Sequence, residues 1–339
     1  MRATFQPISS VPEDLLTSHL LEYGLPAEII EWKYFDRRFR PAGERGFVWV
    51  KDGRVRGVIG LIPYVLGDKT ERHNCAWTCD WFVAVSDRNP GIGALLLKHA
   101  IEGQGLLTTL GGNEATSRMV PRMAAHTVPT AGFEWTLPLR LGGTRNFQRL
   151  ANRMPGWALN WLKDTPVARA PRIGQSSPQT RVEPGVCAAA LGPILSASSM
   201  ERWVPRYDVE YVDWQIGRCP AVESATVWDA DTAAATGAVI WRAVHGFRWR
   251  IVLWTLAGSA AHAGAVLAEA VRQVRARGGH ALSVLIAARD DAGQELFQTA
   301  GFRRSKLGVP LYVLGSRRGP GPEGLTRLSY LDSDLAYRF

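Results

Sequence analysis

The chain has 339 residues, of which 46% are apolar and 21% charged, and its formal net charge is +9. This composition is ordinary for a globular protein and argues against long disordered stretches. The length predicts two domains, because a domain usually has roughly 100–200 residues. A basic surface attracts phosphates of any kind, but the Arg and Lys residues form no stripe and no nucleic-acid motif is found. These features argue against a nucleic-acid partner.

The terminal sequence and the cysteines predict a cytoplasmic protein. The N-terminal residues contain no apolar h-region, so we expect no signal peptide, and no stretch reaches the ~20 apolar residues of a transmembrane helix. The cysteines are few and dispersed, which suits a reducing compartment. We interpret Cys75 and Cys79 as free thiols on a half-buried strand. Because no second pair of ligands lies close to them in the sequence, we expect no zinc or other metal site.

Apolar periodicity predicts alternating helices and strands in both halves of the chain. In the first half we expect helices over 11–22, 25–34, 91–103 and 113–123 and strands over 47–50, 58–61, 74–86, 106–110 and 133–141. In the second half we expect strands over 225–228, 237–240, 248–256, 281–287 and 307–314 and helices over 261–277 and 291–300. Asp52-Gly53 is a strong hairpin-turn signal, and Pro121 should disturb the end of its helix.

A different kind of segment joins the two halves. Residues 145–162 have a helical pattern with bulky apolar side chains, among them Trp157 and Trp161. This pattern suits either an interfacial membrane helix or a helix packed across the two halves, and we favour the second. Residues 163–180 are rich in Pro, Ser and Gln, which predicts an extended crossing.

Three short patterns recur in the same order in the two halves. They are Ile30–Tyr34 and Val212–Ile216 around a tryptophan, the strand–turn–strand segments 47–61 and 225–240, and the tripeptides Ala131–Phe133 and Ala300–Phe302. Each pair alone is weak, but three pairs in register indicate a duplicated domain.

A glycine-containing loop follows the long strand of the first half. The strand ends near Val85, the loop reads Arg88-Asn89-Pro90-Gly91-Ile92-Gly93-Ala94, and a leucine-rich helix begins. The unpaired N–H groups and the positive dipole end of a helix N-terminus form a site for pyrophosphate, and Gly91 and Gly93 let phosphates approach the backbone closely. The loop lacks the Lys-Ser/Thr of a Walker motif and the glycine and acid spacing of a Rossmann motif.

The spacing Arg88-x-x-Gly91-x-Gly93 resembles the (Arg/Gln)-x-x-Gly-x-(Gly/Ala) signature of the GCN5-related N-acetyltransferases (GNAT). The segments Glu31–Tyr34, Ala76–Val83 and Gly111–Asn113 look like a bacterial subgroup of that family. In the second half, Asp291–Phe302 is similar to the family's Asn-x-x-Ala-x-x-Leu-Tyr-x-x-x-Gly-Phe ending.

The sequence departs from the family pattern at three places. Residues 254–264 stand where the second half should have its CoA loop, and they lack the Arg-x-x-Gly-x-Gly spacing. Phe297 occupies the position of a tyrosine that often acts as general acid, and Val120 lies near that position in the first half. The second half is therefore expected to bind CoA poorly, and no tyrosine acid is evident.

The resemblance implies an α/β protein of two tandem acyl-CoA N-acyltransferase (GNAT-like) domains, each a mixed, mostly antiparallel sheet flanked by helices. The predicted bounds are 1–142 for the N-terminal domain with the CoA site, 143–180 for a helical and extended linker, 181–316 for a degenerate C-terminal domain and 317–339 for a tail. The co-substrate would be acetyl-CoA or another acyl-CoA, without a metal. The acceptor would be the amine of a small molecule, which can be anionic.

The resemblance also implies which residues form the site. Residues of the strand, the loop and the end of the next strand would bind CoA: Phe82, Val83, Val85, Arg88, Asn89, Pro90, Gly91, Ile92, Gly93, Ala94 and Asn113. Asp80 is the preferred general base, because family members often have a carboxylate on this strand, and its alternative role is that of an ion-paired structural carboxylate. His73, Glu114 and His126 are further candidates for the base.

The expected reaction is acyl transfer from CoA to an amine of a sugar, amino acid or metabolite within a ternary complex. Two alternatives stay open. One is an aminoacyl transferase of the peptidoglycan cross-bridge type, which the CoA loop disfavours. The other is a CoA-binding or scaffold protein without catalysis, which the absence of a tyrosine acid favours.

Overall fold

The computed structural model describes residues 3–39, 43–67, 72–88, 90–112, 114–144, 147, 149, 153–167, 180–191, 204–206, 208–220, 222–231, 234–244, 248–256 and 260–315. Within these ranges the helices are α1 (Glu13–Glu22), α2 (Ala27–Ile30), α3 (Pro90–Gln104), α4 (Glu114–Met123), α5 (Gly156–Leu162), α6 (Val209–Val212), α7 (Ala260–Ala276) and α8 (Asp291–Thr299). Two π-helical turns follow α2 and α6, at Glu31–Phe35 and Asp213–Gly217. No helix in these ranges is both long and apolar enough to cross a bilayer.

The strands join into one sheet that runs through the whole described structure. They are β1 (Thr4–Pro7), β2 (Gly46–Lys51), β3 (Arg54–Gly67), β4 (Arg72–Val83), β5 (Leu106–Leu110), β6 (Ala124–Pro138), β7 (Thr180–Pro184), β8 (Val204–Arg206), β9 (Glu223–Asp229), β10 (Ala235–Val244), β11 (Arg248–Leu256), β12 (Ala281–Ala287) and β13 (Arg303–Gly315). Their order is β1-β2-β3-β4-β5-β13-β6-β12-β11-β10-β9-β7, with β8 beside β3. Only the β4–β5 and β11–β12 pairs are parallel, so the expected mixed, mostly antiparallel sheet flanked by helices is confirmed.

The two halves exchange their last long strands. β13 comes from the second half but pairs with β5 of the first, for example Leu311 with Leu110. β6 comes from the first half but pairs with β12 of the second, for example Trp135 with Val284. β6 and β13 also pair with each other at the centre. The hydrogen-bond ladder therefore crosses between the halves, and each half lends a strand to the other.

Two tryptophans from the repeated sequence pattern meet at the centre of the molecule. Trp32 and Trp214 lie in the two π-helical turns, and their rings stack with centroids 4.8 Å apart. Trp32 Nε1 donates to the carbonyl oxygen of Trp214 at 2.8 Å, and Trp214 Nε1 donates to that of Trp32 at 3.3 Å. Ile62 of the first half and Ile240 and Leu285 of the second belong to the same buried cluster. The halves thus share one core around this reciprocal contact.

Two of the three recurring sequence patterns form equivalent elements in the two halves, and the third does not. The tryptophan segments are equivalent, and the two strand–turn–strand segments form β2–β3 and β9–β10. The third pairing is wrong: Ala131–Phe133 lies within β6, whereas Ala300–Phe302 ends α8 and turns at Gly301, whose φ is +91°. β1, β7 and β8 were not predicted, because they are short and their pairing partners lie far away in the sequence.

The segment between the halves does not pack as expected. α5 contains Trp157 and Trp161, and each is 76% exposed, so packing across the two halves is wrong for these side chains. Elsewhere Cys75 and Cys79 are free thiols as interpreted, and both are buried.

We predict that the shared core depends on Trp214. Trp214→Ala should lower the free energy of unfolding by about 3–5 kcal/mol, the cost of removing a fully buried aromatic side chain. Trp157→Ala is the matched control, because an exposed side chain should change stability by less than about 0.5 kcal/mol. Urea unfolding followed by circular dichroism gives both values, and equal values for the two variants would contradict the central role of Trp214.

Candidate functional site

A bulge distorts β4 where the sequence places the candidate base. Val58 of β3 pairs with Phe82, and Gly60 pairs with Cys79, so β4 has one extra residue between these pairs. Asp80 lies in the bulge with φ of +42°, in the left-handed region that Asp and Asn tolerate better than most residues. A bulge of this kind bends a strand and re-aims its backbone groups.

Two side chains of the first π-helical turn bind the Asp80 carboxylate. Lys33 Nζ and the Tyr34 hydroxyl each donate to Asp80 Oδ2 at 2.6 Å. Lys33 is 1% exposed and Asp80 8% exposed, so the ion pair is buried. Burial raises the pKa of Tyr34 well above its ordinary value, and the nearby charge of Asp80 raises it further. Tyr34 therefore stays a hydrogen-bond donor throughout the neutral range.

A glycine makes room for this arrangement. A Cβ atom on Gly60 of β3 would overlap the Tyr34 hydroxyl and would lie 2.7 Å from Cys79 Sγ. Any other residue at position 60 would therefore push the tyrosine away from Asp80. The contact between the helical turn and the bulge depends on this close approach of backbone and side chain.

The loop after β4 is fixed from the side by the β2–β3 hairpin. Residues Val85–Asp87 form one 3₁₀ turn, and Asp87 accepts hydrogen bonds from Lys51 Nζ and Arg56 Nε, both at 2.8 Å. These bonds, with that from Lys51 the largest effect, lower the pKa of Asp87 to about 2. The turn between β2 and β3 is Asp52-Gly53, as predicted, and both residues have positive φ, as a tight hairpin turn requires.

The predicted cofactor residues lie on the end of β4 and the first turn of α3. Phe82 stacks on Tyr23 with ring centroids 4.6 Å apart, and Val85 is 72% exposed. Arg88 is exposed and its Nε donates to the carbonyl oxygen of Val83 at 3.3 Å. The other candidates, Pro90, Gly91, Ile92, Gly93 and Ala94, begin α3. Asn89 and Asn113 lie outside the described residues.

β4 and β5 separate beside the bulge. These parallel strands pair only at Ala76–Leu107 and Trp77–Thr108. Beyond that point β4 continues through Asp80 to Val83, and β5 ends at Leu110. In the described part of the sheet, no strand pairs with this edge of β4 beyond Trp77, which is the arrangement that an extended ligand needs to form backbone hydrogen bonds. The opening, the bulge and the N-terminus of α3 lie along a single stretch of chain.

Two of the other candidate bases, His73 and His126, lie away from Asp80, whereas Glu114 begins α4 shortly after the end of β5. His73 lies on β4 seven residues before Asp80, which corresponds to roughly 20 Å along a strand. Glu114 is exposed and pairs with Arg118. His126 lies on β6 opposite Val313.

The second half keeps the bulge but not the charges. Val239 of β10 pairs with Trp254 and Trp241 pairs with Ile251, so β11 has one extra residue at Val252 and Leu253, as β4 has at Asp80 and Trp81. β11 contains no acidic residue. The repeated tryptophan pattern puts Gln215 and Ile216 where the first half has Lys33 and Tyr34. Sequence analysis did not predict Lys33 and Tyr34 as partners of Asp80, and this difference between the two tryptophan segments is the sequence signal that points to them.

A cavity of about 600 Å³ borders the same π-helical turn. It is lined by residues of both halves, namely Glu13, Glu28, Glu31, Trp32, Phe35, Asp36, Arg37, Arg38, Arg218 and Pro220. Asp36 joins the two halves here, because it binds Arg218 of the second half at 3.0 Å. It also binds Arg38 of its own half at 2.9 Å. No cluster of three or more potential metal ligands occurs among the residues that the structure describes.

The candidate site lies within a segment of the sequence that matches a protein-family model. Residues 12–108 match the model of the acetyltransferase (GNAT) family. The matched residues include the bulge, the loop and α3. No curated protein matches the sequence.

Solved structures with the same fold include N-acyltransferases. A probable N-acyltransferase from Enterococcus faecalis has a TM-score of 0.60 and 11% identity, over 93% of this chain and 73% of its own. N-myristoyltransferase of Saccharomyces cerevisiae with bound myristoyl-CoA has a TM-score of 0.60 and 9% identity, over 99% and 83%. The same enzyme with myristoyl-CoA and inhibitors has a TM-score of 0.62 and 10% identity, over 98% and 86%. At these identities the likeness shows the fold alone.

We predict that the buried ion pair is structurally costly to break. Lys33→Met should lower the free energy of unfolding by about 3–5 kcal/mol, because it leaves the Asp80 carboxylate buried without its cation. Combining it with Asp80→Asn should recover most of this loss, since Asn keeps the positive φ and carries no charge. Urea unfolding gives the free energy of unfolding of the wild type, of Lys33→Met and of Lys33→Met/Asp80→Asn.

Lys98→Met is the control for this pair of variants. Lys98 is 63% exposed and pairs with Glu102 at 3.7 Å, so its loss should cost less than about 1 kcal/mol. A cost for Lys33→Met no larger than that for Lys98→Met would refute the structural role of the buried pair.

Proposed function

We propose that the protein is an acyl-CoA-dependent N-acyltransferase, with its CoA site in the N-terminal half. The observation that carries the proposal is the continuous run of bulged strand, anchored loop and helix N-terminus between Asp80 and Ala94, inside the region that matches the GNAT model. Donors at a helix N-terminus suit pyrophosphate. The open edge of β4 suits the extended pantetheine arm, and acetyl-CoA is the simplest acyl donor.

The proposed reaction is direct attack of an amine on the thioester. A backbone N–H group of the bulged strand would polarise the thioester oxygen, as a preorganised donor lowers the energy of the tetrahedral intermediate. Asp80 would take the proton from the amine through water. As the amide forms, the C–S bond of the thioester would break, and CoA would leave as a thiolate that takes up the proton by way of the same water. The hydrogen bonds from Lys33 and Tyr34 both end on Oδ2, which fixes the carboxylate in one orientation. The sequence offers no nucleophile–base triad, so no acyl-enzyme is proposed.

The cavity beside the π-helical turn is the candidate acceptor site. Its volume is that of a small-molecule pocket, and both halves line it. Glu28 and Glu31 offer carboxylates to an amine. Arg37, which pairs with Glu13 at 3.4 Å, would have to exchange that partner for an anionic group of the acceptor. An amino acid or an amino sugar with an acidic substituent combines these two features, so these acceptors come first in an activity screen.

We predict that CoA binding depends on the loop of the first half. Gly91→Glu should abolish binding of acetyl-CoA, because it adds bulk and negative charge where the phosphates approach the helix N-terminus. Gly264→Glu in α7 is the matched control, since its side chain would point into open space in the second half. Calorimetry on folded proteins should give one CoA per chain for the wild type and for the control.

Each other outcome of that titration has a definite meaning. Two equivalent sites per chain, or unchanged affinity in Gly91→Glu, would overturn the assignment of the loop. CoA binding without turnover of any amine would support the scaffold alternative. Failure to bind CoA together with activity that depends on aminoacyl-tRNA would support the cross-bridge alternative.

We predict that Asp80→Asn lowers kcat by roughly 10²–10⁴-fold at neutral pH, the usual effect of removing a general base. Affinity for CoA should stay within a few fold. If the base serves only to deprotonate the ammonium group, the loss should shrink as pH rises and the free amine becomes abundant. A pH–rate profile of the variant with an acceptor from the screen measures both effects.

Two further variants separate catalysis from structure at Asp80. Lys33→Met/Asp80→Asn removes the buried charges together, so a catalytic role predicts a stable but slow enzyme. Lys33→Met alone keeps the carboxylate and should keep more activity per folded molecule. If the double variant regains wild-type kcat along with its stability, Asp80 is a structural residue and the base lies elsewhere.

A further inference from the structure

α5 presents two uncovered tryptophans on one side of a short helix. Trp157 and Trp161 are four residues apart, which puts them on the same face, and each is 76% exposed. Ala158 is buried, so the other side of the helix rests on the protein. Large aromatic side chains with this exposure are uncommon on a soluble surface, and a pair on one face indicates a partner.

The helix is held firmly in this position. Leu141 N donates to the carbonyl oxygen of Thr165 and Gly142 N donates to that of Lys163, both at 2.9 Å. Asp164 accepts from Arg140 at 3.3 Å and pairs with His280 Nε2 at 3.0 Å. The residues directly after α5 are thus fixed to the β6 end and to the second half. The tryptophans therefore project from a rigid support.

The surrounding sequence is strongly basic. Residues 145–172 contain five Arg and one Lys but only one acid, Asp164, and that acid already binds Arg140 and His280. Arg149 and Arg153 precede the helix and are exposed. The segment therefore combines exposed aromatic side chains with an excess of basic over acidic residues.

We infer that α5 with its flanking basic residues docks the protein on an anionic lipid membrane. Tryptophan prefers the interface between lipid headgroups and acyl chains, where its ring is apolar and its N–H group stays hydrogen-bonded. Arginine and lysine beside it are attracted to anionic headgroups. Two aromatic side chains are too small an apolar area for a stable protein–protein interface, whereas a basic surface strengthens the insertion of a few aromatic anchors. Docking at the surface needs no membrane-spanning helix and does not depend on the proposed acyl transfer.

Co-sedimentation with vesicles tests this inference on the full chain. We expect the wild type to bind vesicles of phosphatidylcholine mixed with phosphatidylglycerol, to bind pure phosphatidylcholine vesicles at least ~10-fold more weakly, and to be released by salt. Trp157→Ala/Trp161→Ala should lower binding to the mixed vesicles at least ~10-fold. Arg149→Gln/Arg153→Gln should reduce the preference for the anionic lipid.

The control is Leu307→Ala, which removes another exposed apolar side chain, 83% exposed, from β13. It should bind vesicles like the wild type. Urea unfolding should show that all variants are as stable as the wild type, because the altered side chains are exposed. Equal vesicle binding by the double tryptophan variant and the wild type would overturn the inference. So would tryptophan-dependent binding to a single-stranded oligonucleotide without binding to vesicles, because tryptophan and arginine also stack on bases.

Discussion

The reciprocal contact of Trp32 with Trp214 is the constraint on which the arrangement of the site depends. Each indole N–H group donates to the carbonyl oxygen of the other residue, and the rings stack between the two halves. This contact fixes the two π-helical turns against each other. Lys33 and Tyr34 follow Trp32 in the first of these turns and bind Asp80 in the bulge of β4. The contact between the halves and the bulge of β4 are therefore parts of one connected unit.

The strand exchange adds backbone hydrogen bonds between the halves to that unit. β5 borders the opening next to β4, and its other edge is covered by β13 from the second half. A truncated N-terminal half would expose this edge, which favours aggregation, and would lose the indole partner of Trp32. The second half thus has a structural role even though its residues 254–264 lack the Arg-x-x-Gly-x-Gly spacing. Its bulge has Val252 in the equivalent position, and Gln215 and Ile216 replace the charged and hydroxyl side chains.

Charge is distributed differently around the site and on the remaining surface. At the site, cations are paired with buried or half-buried carboxylates, as Lys33 is with Asp80 and Arg56 with Asp87. Arg88 at the loop and the arginines before α5 are exposed. The two proposed ligands, an acyl-CoA and an anionic lipid surface, both carry phosphates, which the net charge of +9 would attract.

The sequence by itself determined the local elements and the loop. The periodicity gave β5, β11 and β12 their residue bounds, and Arg88-x-x-Gly91-x-Gly93 marked the start of α3, because strand, turn and helix starts depend on neighbouring residues. The repeated tryptophan segments indicated a local pattern that the two halves share, and in the structure both segments form π-helical turns. Only the tertiary structure decided that Lys33 and Tyr34 bind Asp80, since 46 residues separate Tyr34 from Asp80. It also decided that β6 pairs with β12 of the second half, that β13 pairs with β5 of the first half, and that Trp157 and Trp161 are exposed. Pairing between distant strands and the burial of a given side chain depend on which surfaces meet in space, and local sequence does not record that.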